Sequence, residues 1–201
     1  MWIKICGLTT PEAVSAALEA RVDAIGFVFS ESVRRVTPEQ AARLAQGTPP
    51  RVQRVAVTRH PAQVLVDEIL AAFRPDALQT DADDFPLLRL PATLARLPVW
   101  RAAPAPGTRV PARVLFEGAD SGTGRVSDWD AARELAALTE LVLAGGLDSR
   151  NVGAAVAAVD PFGVDVSSGV ELRPGIKNPA EIVRFVLAAR AAGADHRKES
   201  P

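Results

Sequence analysis

Eight times along this chain a short apolar, β-branched run recurs, and most of these runs are followed by a longer alanine- and leucine-rich stretch with helical periodicity. That alternation is what parallel strands joined by crossover helices require, because a parallel neighbour is reached only by a long return connection. The candidate strands cover 2–6, 24–29, 54–57, 77–79, 99–102, 114–117, 140–143 and 163–166. Helical stretches follow over 11–20, 38–46, 62–72 and 179–192, and Thr10, Thr37 and Asn178 stand as caps before Pro11, Pro38 and Pro179. Eight such units in 201 residues sit at the lower size limit of a closed barrel. An open doubly wound sheet uses fewer strands and carries a glycine-rich fingerprint after the first one, and none follows Cys6. The expected fold class is therefore α/β, a single (β/α)8 TIM barrel over 1–194 with a flexible polar tail over 195–201. Between 81 and 111 the prolines at 86, 91, 98, 104, 106 and 111 break the periodicity, so the fourth and fifth helices must be short or irregular.

Composition narrows the function classes. With 48% hydrophobic and 23% charged residues, the chain can build one sizeable core. A formal charge of -1 provides no field for nucleic acid or an anionic membrane, so any phosphate chemistry must be local. One cysteine and two histidines are too few for a disulfide or a Cys/His metal cage, which fits a reducing, cytoplasmic setting. The sequence shows neither a targeting segment nor an apolar run near the roughly 20 residues that span a bilayer. A soluble protein acting on a small molecule is expected, with no metal or other cofactor and no nucleic-acid or membrane partner.

In a barrel, chemistry belongs where strands end. Gly145 and Gly146 follow the seventh strand, and Ser167, Ser168 and Gly169 follow the eighth. Glycines allow backbone N–H groups to approach an anion, serine hydroxyls can donate, and a short helix starting near Ser168 would point its positive end at a phosphate. Each motif alone is equally a turn or a cap; their joint occurrence after consecutive late strands favours a phosphorylated ligand. Cys6 ends the first strand just before Gly7. A lone cysteine among apolar residues is more often inert core, and its position is what singles it out as a group that can take a proton from carbon. Lys4 points inward by strand alternation, either to lower the thiol pKa or to pair with a core carboxylate.

The run Lys4-Ile5-Cys6-Gly7-Leu8-Thr9, the segment from Asp23 to Phe29 and Ser32-Val33-Arg34-Arg35-Val36-Thr37-Pro38 resemble the first two βα units of phosphoribosylanthranilate isomerases. Gly122-Thr123-Gly124 with Asp128-Trp129, Leu143-Ala144-Gly145-Gly146-Leu147, Val164-Asp165-Val166-Ser167-Ser168-Gly169-Val170-Glu171 and Pro174-Gly175-Ile176-Lys177 are similar to the family's late loops, in the same order. The resemblance implies a cofactor-free internal redox rearrangement, N-(5-phosphoribosyl)anthranilate becoming 1-(2-carboxyphenylamino)-1-deoxyribulose 5-phosphate in tryptophan biosynthesis. It implies Cys6 as general base, Arg34 as the fork that holds the anthranilate carboxylate, and Asp165 facing the ligand's amino group unless it is only an inward polar residue.

The sequence departs from that pattern in places. The family's acid is an aspartate ending the sixth strand. Here register favours Glu117, whose burial would raise its pKa toward a useful acid, and Asp120 is the fallback, more simply read as a turn cap. Leu78-Gln79-Thr80-Asp81-Ala82 replaces a Gln-Leu-His-Gly segment on the fourth strand, and Thr58-Arg59-His60 replaces Phe and Asn on the third loop. His60 reads as a solvated surface residue, and Trp129 as packing under the sixth loop or stacking on the anthranilate ring. Cys6 argues against an aminoimidazole-carboxamide ribonucleotide isomerase, and the lack of an acidic cluster against a thiamin-phosphate synthase. A non-catalytic metabolite-binding barrel is the rival outside enzymes. A monomer is expected.

Overall fold

The computed structural model describes residues 1–105, 107–118 and 128–199, with side chains described through 194. Eight parallel strands close on themselves in chain order: β1 (Trp2–Cys6), β2 (Ala24–Val28), β3 (Gln53–Val57), β4 (Ala77–Asp81), β5 (Ala95–Trp100), β6 (Arg113–Phe116), β7 (Glu140–Leu143) and β8 (Gly163–Val166). Helices α1 (Pro11–Glu19), α2 (Pro38–Leu44), α3 (Gln63–Ala72), α4 (Trp129–Ala136), α5 (Val152–Val159) and α6 (Pro179–Glu199) ring the barrel. The expected closed (β/α)8 architecture is present. Helix α6 continues as helical backbone to Glu199, past the point where the sequence reading ended the barrel.

Local chemistry explains the starts of the helices. Thr10 accepts a hydrogen bond from the Ala13 amide at 3.3 Å, Thr37 and Gln40 form a reciprocal capping box, and Asn178 accepts from the Ala180 amide at 3.0 Å. Each such cap is worth about 1 kcal/mol. Asp128 accepts from the amides of Asp130 and Ala131 to open α4.

The alternation of strand side chains divides the core in two. Ile3, Ile5, Ile25, Phe27, Leu141, Leu143 and Val164 point outward into the helix layer with Phe185 and Ile182. Inside the barrel Leu97, Val99, Leu115, Val142 and Ala144 form one cluster and Ala24, Val55 and Ala77 another, both resting on Trp2 at the floor. Gly163 makes room for that floor: a Cβ there would sit 2.6 Å from the Trp2 carbonyl oxygen.

The proline-broken region behaves as its composition dictates. A six-residue 3-10 segment (Ala82–Leu87), with Pro86 inside it, stands where a helix would follow β4. Among the described residues no helix joins β5 to β6. The fifth strand begins at Ala95, earlier than expected, and tolerates Pro98, which pairs with Thr80. Its last residue is accordingly Trp100, and Arg101 is the first residue of the following loop. After β8 come one 3-10 turn (Ser168–Val170) and a small antiparallel hairpin, β9 (Glu171–Arg173) with β10 (Ile176–Lys177). The short helix expected near Ser168 is only that single turn.

Candidate active site

A pocket of about 220 Å³ opens at the C-terminal mouth of the barrel. Cys6, Arg34, Glu117, Asp165 and Ser167 line it together with Gln79, Arg59 and Arg101. The structure thus gathers five of the expected residues from the ends of β1, β6 and β8 and from the loops after β2 and β8. A larger groove, about 860 Å³, lies outside the barrel between α1, α2 and the hairpin, and contains none of them. Asp120 and the Gly122-Thr123-Gly124 motif lie outside the described residues.

Cys6 and Lys4 both point into the barrel, and β2 leaves space for them at Gly26. A Cβ on that glycine would come 3.0 Å from Lys4 Cε and 3.2 Å from Cys6 Sγ. Lys4 Nζ donates to Asp165 Oδ1 at 2.9 Å, joining first strand to last with both side chains buried. Burial opposes the Lys4 charge, but the Asp165 carboxylate and Cys6 outweigh it and hold the ammonium above its ordinary value. For Cys6 the balance differs from expectation. Lys4 and Lys177 do pull the thiol down, yet burial is the larger effect and Asp165 adds to it, so the thiol pKa is raised above 9.0.

A second charge system ties the loop after β2 to the hairpin. Arg34 donates from Nε and Nη2 to the two oxygens of Glu171, at 2.7 and 2.9 Å. Lys177, fully buried, donates to Glu171 Oε1 at 2.8 Å, to the Ser167 carbonyl at 2.9 Å and to Ser167 Oγ at 3.2 Å, while Ser167 Oγ donates to the Cys6 carbonyl at 3.2 Å. Burial alone would push the Glu171 carboxyl up; the bonds from Arg34 and Lys177 reverse that and hold it below its usual range. Burial brings the Lys177 ammonium below its ordinary value despite Glu171 and Cys6. Arg34 therefore already has half of its fork engaged, and among the described residues its Nη1 has no partner.

The loops after β7 and β8 touch directly. Gly145 and Gly146 adopt φ of 87° and 65°, a left-handed conformation that favours glycine. A Cβ on Gly169 would lie 1.9 Å from the Leu147 carbonyl oxygen. The amides of Gly146, Ser168 and Gly169 donate to no other described residue. Of this group only Ser167 also lines the pocket.

The altered third and fourth loops carry a network that sequence reasoning missed. His60 is exposed, as expected, but it is held: Nδ1 lies 2.9 Å from Asp84 Oδ1 and Nε2 lies 3.3 Å from Asp81 Oδ2. These three residues bring ligating atoms within 4.8 Å of one another, atoms that here serve each other, Thr80, Arg59 and Arg101. Hydrogen bonds from Thr80 and His60 overcome burial and keep the Asp84 carboxyl low. The available signal was an arginine just after a strand end, but the proline-displaced reading of the fifth strand put Ala102 there instead. Trp129 packs against the outer core and does not line the pocket.

Comparison with known proteins agrees with this architecture. The family model described as N-(5'-phosphoribosyl)anthranilate (PRA) isomerase matches residues 3–188. A protein of that name from Azorhizobium caulinodans is 39% identical, over 97% of this chain and 94% of its own length. The crystal structure of TrpF from Jonesia denitrificans shares 35% identity, with a TM-score of 0.79 and coverage of 96% of this chain and 98% of its own. A phosphoribosyl anthranilate isomerase in complex with reduced 1-(o-carboxyphenylamino)-1-deoxyribulose 5-phosphate superposes with a TM-score of 0.76 at 27% identity, covering 95% of this chain and 99% of that one. The chain belongs to the N-(5'-phosphoribosyl)anthranilate isomerase family.

Proposed function

We propose that this protein catalyses the Amadori rearrangement of N-(5-phosphoribosyl)anthranilate, with Glu117 as general acid and Cys6 as general base. The observation that carries this reading is the convergence of Cys6, Glu117, Arg34 and Asp165 on one pocket. The Glu117 carboxyl gives its proton to the furanose ring oxygen; the C1–O bond breaks and the anthranilate nitrogen lone pair forms an iminium. The Cys6 thiolate then removes the proton from C2. The electron pair left on C2 flows toward the iminium nitrogen, giving an enamine that becomes the C2 ketone. Electrons move only within the substrate, so the scheme needs no cofactor.

The remaining residues bind. Arg34 offers the Nη1 edge of its guanidinium to the anthranilate carboxylate, its other edge being fixed by Glu171. The phosphate lies against the amides of Gly146, Ser168 and Gly169, with Gly145 shaping the turn and the Ser167 and Ser168 hydroxyls at hand. Asp165, held by Lys4, faces the substrate's amino nitrogen. A monomer is the working unit in this proposal. A base that must remain a free thiol supports a cytoplasmic setting. No helix among the described residues is long and apolar enough to cross a membrane.

The test is the loss of fluorescence of freshly generated phosphoribosylanthranilate on adding purified protein. Turnover that falls by at least about a hundredfold in both Cys6→Ser and Glu117→Gln, but not in Asp120→Asn, is the expected result. A wild-type protein that binds a product analogue and turns nothing over is a binding module, and the proposal then fails.

A further inference from the structure

The rim of the pocket between β4 and β6 is spanned by a chain of charges to which the reaction scheme gives no task. Arg101 follows β5 directly. On one side lies Asp81, the last residue of β4, which pairs with Val99. On the other lies Glu117, just beyond Phe116, which pairs with Trp100. Arg101 donates from Nε and Nη2 to Asp81 Oδ1, at 3.1 and 2.8 Å, and from Nη1 to Glu117 Oε2 at 3.3 Å. The Arg101 side chain is 22% exposed and the two carboxylates 15% each, so the bridge is largely shielded from water. Asp81 is itself held from the other side, its Oδ2 facing His60 Nε2 at 3.3 Å and Arg59 Nε at 3.6 Å.

We infer that Arg101, clamped by Asp81, is a positioning residue that sets the orientation of the Glu117 carboxyl for proton transfer. The inference rests on Glu117 being the acid. Three side-chain torsions separate the glutamate carboxyl from the backbone, and a proton donor works only within about 2.6–3.2 Å of its acceptor. A planar guanidinium can bond one carboxylate along one edge and reach a second with its remaining nitrogen, which an ammonium cannot do in a fixed plane. When Glu117 takes up the proton that it delivers, Oε2 still accepts from Arg101, which has no lone pair to offer in return, so that proton sits on Oε1. Asp81, fixed by loop residues on its far side, makes the clamp rigid.

The experiment is a kinetic double-mutant cycle on the fluorescence assay, with Arg101→Met and Arg101→Lys made in both the wild-type and the Glu117→Gln backgrounds and Asp81→Asn made alone. Arg101→Met is expected to lower kcat by about tenfold with KM nearly unchanged, and Arg101→Lys to recover part of that loss. In the Glu117→Gln background Arg101→Met is expected to change kcat by less than about twofold, because the group it acts through is gone. Asp81→Asn should lower kcat in the same sense but less. An impaired Glu117→Gln protein in which Arg101→Met costs as much as in the wild type, or nothing in either background, overturns this inference alone. A fully active Glu117→Gln protein overturns the acid assignment as well. Thermal melts accompany each variant, and if Arg101→Met does not fold, the Arg101→Lys and Asp81→Asn comparisons decide between the same outcomes.

Discussion

Cys6 sits between opposed influences. Burial and Asp165 favour the neutral thiol, while Lys4 and Lys177 favour the thiolate. The balance leaves the thiol pKa above 9.0, so at neutral pH only a small fraction of free protein carries the base, and that fraction is strongly basic. Alkylation of Cys6, the single cysteine, by iodoacetamide should therefore speed up by about tenfold per pH unit from neutrality toward the raised thiol value, because only the thiolate reacts. Mass-spectrometric rates across that range check the slope; a flat profile would mean that the thiol is already ionised at neutral pH. Lys177→Met removes one of the two charges that lower the thiol pKa, and the rising limb should move to higher pH.

Among the elements, the hairpin after β8 contributes more than its size suggests. It carries Glu171 and Lys177, and through Arg34 it fixes the loop after β2. Glu171→Gln leaves the Lys177 ammonium buried without its counter-charge and should cost about 3 kcal/mol in urea unfolding, whereas a Glu171→Met, Lys177→Met double variant should recover much of it. The Glu171 carboxyl is depressed in the folded state. Its stabilisation is thus complete above the ordinary glutamate value of 4.5 and is lost as pH falls through the lower folded value, a loss that the Gln variant should lack. Gly169→Ala has no such remedy, since its methyl would meet the Leu147 carbonyl. It should part the loops after β7 and β8 and raise KM while weakening competition by inorganic phosphate. These two loops were legible in the sequence because glycine and serine positions record backbone geometry directly, and Cys6 because a strand end locates it. The Asp81–Arg101–Glu117 bridge was not legible. It depends on register across three strands, and Pro98 hides the true course of the middle one. The partner of Arg34 was equally hidden, because Glu171 lies 137 residues away in sequence.

For the molecule as a whole, the count of eight βα units and the missing glycine-rich fingerprint after β1 announced the closed sheet, and the prolines between 81 and 111 announced its irregular side. Local propensity says nothing about which end of the chain meets which, and that is settled by β1 lying in register with β8, Lys4 opposite Asp165. Removing either member of this buried pair should cost about 3 to 5 kcal/mol by denaturant titration, with Lys4→Met, Asp165→Leu together costing less than either single change. The same seam has a consequence for the order in which the molecule comes into being. During synthesis Lys4 emerges 161 residues before the carboxylate that pairs with it. Ser167 and Lys177 come later still. Until Asp165 arrives the nascent chain carries its inward lysine without its counter-charge, and β1 has no β8 to close against. A chain cut before Gly163 lacks the strand that closes the barrel and with it the Asp165 and Ser167 side of the pocket.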